Sequence, residues 1–95
     1  MIRDMASDPG TMQLLDWIGD AEDRARLATE GPWISFVEGR DHLSGSSFIR
    51  TAGADIELSG ATVADQDFIA HTRQDVIALV EEIRRLHSLL EGRKR

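Results

Sequence analysis

Cysteine is missing from all 95 residues, so no disulfide and no thiolate metal ligand can hold so short a chain together. Only His42, His71 and His87 offer imidazoles, and with no thiolate to join them a structural zinc is not expected. Positive charge is scarce as well. Eleven Lys and Arg against seventeen Asp and Glu leave a formal net charge of −6, which argues against the clustered basic surface that duplex nucleic acid requires. Long apolar runs are also absent. Nothing approaches the roughly 20 residues of a membrane span, and Met1-Ile2-Arg3-Asp4-Met5 lacks the continuous apolar core of a signal peptide. No membrane association is expected, and the cytoplasm is the expected location.

Chemical signatures are as sparse. No Gly-Lys-Ser/Thr ending marks a Walker loop, no dinucleotide fingerprint follows a strand, and no nucleophile elbow surrounds a serine. An enzyme is therefore not expected, nor is a cofactor. A chain of this size forms one domain with little surplus stability, and self-association is the one customary support still open to it.

What is present is unevenly arranged. Residues 1–30 carry three Arg against seven acids, a net of −4. Residues 31–60 carry two against four, a net of −2, and residues 61–95 balance at six and six. Ten of the eleven basic residues are Arg, which suits planar contacts to carboxylate or phosphate.

The expected fold is α+β: an N-terminal helix, a three-stranded antiparallel meander, a short helix and a long C-terminal helix. Residues 1–10 read as a flexible leader, 11–92 as a single domain and 93–95 as a basic tail. Thr11 is placed to cap the first helix, in which Leu14, Ile18, Ala21, Ala25 and Ala28 recur at spacings of four and three. Asp16, Asp20, Glu22, Asp23, Arg24 and Arg26 fall on the opposite, solvated face, and Trp17 reads as a core aromatic. Gly31-Pro32 ends the helix. Residues 33–37, 47–51 and 55–58 read as strands. Thr62 can cap a short helix over 63–72, and a second helix is expected over 74–91. There Val76, Leu79, Ile83, Leu86 and Leu90 alternate at three and four, so Ile83, Leu86 and Leu90 are the expected homo-oligomer contacts.

Ala28-Thr29-Glu30-Gly31-Pro32-Trp33 follows the first helix, and Asp67-Phe68-Ile69-Ala70 is followed by Arg73-Gln74-Asp75-Val76. This pairing resembles the Ead-type small proteins of temperate phages and bacterial mobile elements. Their pattern joins Ala-Thr-x-Gly-Pro-Trp to a later Asp-x-x-Phe-Ile-Ala and a leucine-rich C-terminal helix, and the resemblance spans residues 20–90. Relatives often carry proline where this chain has Ile77. The resemblance implies no reaction. It implies an accessory role toward host defence or host regulators, by masking a protein or sequestering a small signalling molecule.

The polar stretch between the first two strands holds the richest binding chemistry. Arg40 and His42 can donate to an anion, Ser44 and Ser47 add hydroxyls, and Gly39 and Gly45 let backbone amides approach a ligand. Trp33 can stack on a base or serve as core, and Arg73 can contact an anion or pair with Asp65 or Asp67. An ordinary solvated hairpin loop is the competing reading. Asp41, His42 and Ser44 lie too close in sequence for a hydrolytic triad, and Asp67, His71 and Asp75 read as a helix surface before a metal site. The expected function is accordingly sequestration, without catalysis, of a small anionic ligand such as a nucleotide immune signal. The alternative is a protein-binding inhibitor or antitoxin whose acidic first helix masks a basic surface.

Overall fold

The computed structural model describes residues 9–93. Residues 1–8 of the expected leader and the last two of the basic tail lie outside the described residues. The first helix, α1, runs from Pro9 to Leu27. Thr11 lies inside this helix, not at its cap.

Two short strands follow, β1 (Ile34–Phe36) and β2 (Phe48–Arg50), antiparallel with Ser35 opposite Ile49 and Phe36 opposite Phe48. The period of two puts Ser35 and Ile49 on one face, where Ile49 is fully buried. Phe36 and Phe48 stack on the other at 5.3 Å, and the Arg50 guanidinium lies 4.6 Å from the Phe36 centroid.

The expected third strand is reduced to one residue. Ile56 exchanges both backbone hydrogen bonds with Ile49, at 2.8 and 2.9 Å, and pairing stops there. Thr51 Oγ1 accepts from the Gly53 amide and donates to the Ala54 carbonyl, which makes the turn back. Gly60 at φ 80° then bends the chain away before a ladder can lengthen.

The two expected C-terminal helices are one. α2 runs unbroken from Val63 to Gly92, which at 1.5 Å per residue is about 45 Å. A capping box starts it: Thr62 Oγ1 accepts from the Asp65 amide and the Asp65 carboxylate accepts from the Thr62 amide, both at 3.0 Å. No proline or glycine interrupts residues 63–91, and Thr72 returns its hydroxyl to the Phe68 carbonyl within the helix instead of opening a new one.

The first third of α2 packs under the sheet, and α1 lies antiparallel along the rest. The buried apolar residues are Ile18, Val37, Ile49, Ala70 and Val80. Two departures from the expected faces share a cause. Glu22, expected in solvent, is buried and bonded to Arg84 of α2 and to Arg26 at 3.0 Å. Those arginines hold its carboxyl below the usual range, Arg84 most strongly. Turning Ile18 and Glu22 toward α2 turns Trp17 outward, and Trp17 is 65% exposed, not core. Among the described residues no helix is long and apolar enough to cross a membrane.

Candidate functional site

Where the C-terminal half of α1 passes the N-terminal half of α2, the helices leave a cleft of about 390 Å³. One wall is Ala21 and Ala25 of α1 with Ala28 just beyond it, whose small side chains leave unfilled the space a leucine would occupy. Ile69 and Val76 form the α2 wall, Trp33 stands at one end, and Arg24, Thr72 and Arg73 supply the polar groups.

Trp33 is fixed by three hydrogen bonds. Its indole Nε1 donates to the Thr29 carbonyl at 2.7 Å, its amide donates to Gln74 Oε1 at 3.1 Å, and its carbonyl accepts from Gln74 Nε2 at 2.9 Å. Arg73 is under-satisfied by contrast: its Nε is buried and has no hydrogen-bond partner. Nη1 of Arg73 lies where a Cβ on Gly31 would come within 2.9 Å, so the bare glycine admits the guanidinium. Neither carboxylate in reach by sequence is paired with it. Asp65 caps α2 and Asp67 is bonded to Arg40.

Arg40, His42, Ser44 and Ser47 do not line this cleft. Arg40 grips Asp67 with both terminal nitrogens, at 2.7 and 3.0 Å, and its Nε donates to Asp41 at 3.0 Å. The Asp67 carboxyl is accordingly pulled down to about 2, mainly by Arg40, and Asp41 is lowered in the same direction. Asp41 also accepts from the Val37 amide, and Ser47 Oγ accepts from the Glu38 amide. His42 Nδ1 lies 2.9 Å from the Ser44 carbonyl oxygen, its ring leans on Phe48, and its Nε2 is buried without a partner. The loop closes on itself through these bonds, with Gly39 and Gly45 at positive φ making its turns. The Asp41, His42 and Ser44 side chains are not bonded in series, since His42 meets a carbonyl and Asp41 meets Arg40.

The six residues expected to bind ligand thus divide into Trp33 and Arg73 in the cleft and four in the loop. Along the unbroken α2, His71 Nδ1 approaches the backbone oxygen of Asp67, not its carboxylate. Among the described residues no group of three His, Asp or Glu is placed to hold a metal. Ile83 is half-buried, while Leu86 and Leu90 are exposed.

Sequence reasoning missed Arg24 and the alanines as a wall, and missed Gln66 and Gln74. Gln66 is buried, and its amide nitrogen donates to Ser35 Oγ at 2.9 Å and to the carbonyls of Phe36 and Phe48 at 3.2 Å each. The signal was available: Gln66, Ala70 and Gln74 are spaced by four, so two amides share the face of α2 that carries a buried alanine. Compared with known proteins, the chain matches no family model, no curated protein and no solved structure.

Proposed function

We propose that the chain is a small binding protein that takes an anionic ligand with an apolar or aromatic body into the α1–α2 cleft and holds it without turnover. One observation carries this reading: Arg73 lines a mostly apolar cleft and holds a buried nitrogen, Nε, without a partner. An orphaned buried donor costs stability until something accepts from it, and a bound anion is such an acceptor. Trp33 supplies a fixed aromatic ring at the cleft's end, and Arg24 a second cation at its rim. Nucleotides match this chemistry, with a flat base for the ring and a phosphate for the arginines. In the setting that the Ead-type resemblance implies, the ligand would be a host immune nucleotide, sequestered in the cytoplasm. The proposal centres on Trp33 and Arg73. Arg40, whose hydrogen bonds go to Asp41 and Asp67, supports the loop.

The test is calorimetric titration with cyclic and linear nucleotides. Arg73→Ala removes a charge-assisted bond worth roughly 1.5–3 kcal/mol, so affinity should fall about 10- to 150-fold. Arg40→Ala should leave it nearly unchanged. Absence of heat with every nucleotide overturns the reading.

A second reading has its own observation. Asp16, Asp20 and Asp23 are exposed on the side of α1 turned from α2, and none forms an ion pair among the described residues. A partner with a basic surface would find an acidic row there, as an inhibitor or antitoxin requires. Replacing all three by Asn would abolish copurification of such a partner and leave nucleotide binding intact.

A further inference from the structure

The cleft marks one side of the helical pair, and seven-residue spacing carries that side along both helices. Seven before Ala21 stands Leu14, and four before it Trp17. Seven and fourteen after Thr72 stand Leu79 and Leu86; seven and fourteen after Val76 stand Ile83 and Leu90. All but Ile83 of these extensions are exposed: Trp17 at 65%, Leu79 at 62%, Leu86 at 47%, with Leu14 and Leu90 near 40%. The face is therefore recessed over the alanines of α1, with Phe68 of α2 exposed at 73% on that end of the cleft, and raised at its leucine and tryptophan end.

We propose that a second copy of this chain covers this face, related by a two-fold axis perpendicular to the helices and passing near Ala21. Such an axis reverses the helices, so the raised half of each copy enters the recessed half of the other. Trp17 of one copy then lies beside Ala25 and Arg24 of the other, where a guanidinium and an indole face attract. Leu86 and Leu90 lie over the opposing Thr72 and Phe68. The two α2 helices cross at the buried-to-exposed boundary set by Leu79 and Ile83, giving a four-helix bundle.

The area fits this occupant. Leu14, Trp17, Phe68, Leu79, Leu86 and Leu90 together offer on the order of 600 Å² per copy, and the pair would cover about 1,200 Å², within the range of specific dimers. A surface whose ridge and hollow match under its own two-fold needs no other partner. No acid of α1 stands on it, since Asp16, Asp20 and Asp23 lie on the side of α1 turned from α2. The inference shares its cleft with the ligand reading but does not depend on it. Trp17 of the second copy and a ligand exclude each other, so ligand would favour the single chain.

The absence of cysteine makes the test specific in position. In the full chain, Ala21→Cys sits at the axis and should oxidise to a linked dimer, whereas Asp23→Cys, one helical side away, should not. Light scattering at tens of micromolar should give twice the chain mass for the unaltered protein and the single mass for Trp17→Glu and Leu86→Glu. Circular dichroism should show the same helix content in all four variants. A single-chain mass for the unaltered protein at that concentration overturns the proposal. Equal crosslinking at both cysteines, or a dimer that survives both glutamates, overturns it as well by placing the contact elsewhere. No nucleotide enters the experiment, so a failed nucleotide titration leaves its result standing, and a monomer leaves the ligand reading standing.

Discussion

Gln74 pairs with the backbone of Trp33 through both ends of its side-chain amide, the oxygen at 3.1 Å from the Trp33 nitrogen and the nitrogen at 2.9 Å from the Trp33 oxygen. The pairing imitates one rung of a β-ladder between residues 41 apart in sequence. It places the chain just after α1 against Gln74, a little before the midpoint of α2, and so it sets the end wall of the cleft.

Gln74→Leu keeps the volume and removes both bonds, leaving the Trp33 amide and carbonyl without these partners. The cost should be roughly 1–3 kcal/mol. Urea unfolding should show a lower midpoint at unchanged slope, and Trp33 should become easier to quench with acrylamide. An unchanged midpoint would show that water replaces the glutamine at no cost.

The Arg40–Asp67 pair gives the protein an acid limb. Folding lowers the Asp67 carboxyl to about 2, below the value near 4 of an unfolded chain. The folded state thus binds this proton less readily than the unfolded one. Its stabilisation is complete above the unfolded value and is lost as pH falls toward 2. Asp41, lowered by the same arginine, acts in the same direction. Asp67→Asn should lower stability at pH 6 and flatten the decline between pH 4 and 2, read by urea unfolding at stepped pH. A decline as steep as that of the unaltered chain would assign the acid limb to other carboxylates.

Thr62→Ala should destabilise the protein by about 1 kcal/mol, the usual cost of losing a helix N-cap. Ser at the same position should restore most of it, since a hydroxyl is what the Asp65 amide requires. Hydrogen exchange offers the local readout: amides of residues 63–66 should exchange faster in the alanine variant while those near Val80 keep their protection.

Much of the framework could be read from spacing alone. The apolar recurrence through α1 and α2, the β-branched and aromatic segments around Phe36 and Ile49, and the Thr62 cap are local signals. Rotation of α1 about its own axis is not local. It follows from Glu22 meeting Arg84, 62 residues away, and a carboxylate among other acids gives no sign of such a partner. The face assigned to Trp17 failed with it. The third strand failed because a short alternating segment does not reveal that Gly60 turns the chain away. In the loop, composition suggested an open anion site, but Asp41 and Asp67 are placed to take Arg40. The cleft was legible only in two of its lining residues, Trp33 and Arg73. Its α1 side is made of alanines, whose small size in the sequence points to close approach of another element, not to a hollow.

The continuity of α2 has a mechanical consequence. One rod carries the sheet on its first third and the exposed leucines on its last, with no hinge between them. Seating the sheet differently on Gln66 and Gln74 would tilt the rod as a whole. Over about 30 Å of helix, a tilt of about 5° moves the far end by roughly 3 Å, enough to unseat a side chain from a packed position. With α1 riding on it through Glu22 and Arg84, the helix would act as a lever arm whose fulcrum is the pair of glutamines, so reseating the β-strands would be felt most at Leu86 and Leu90.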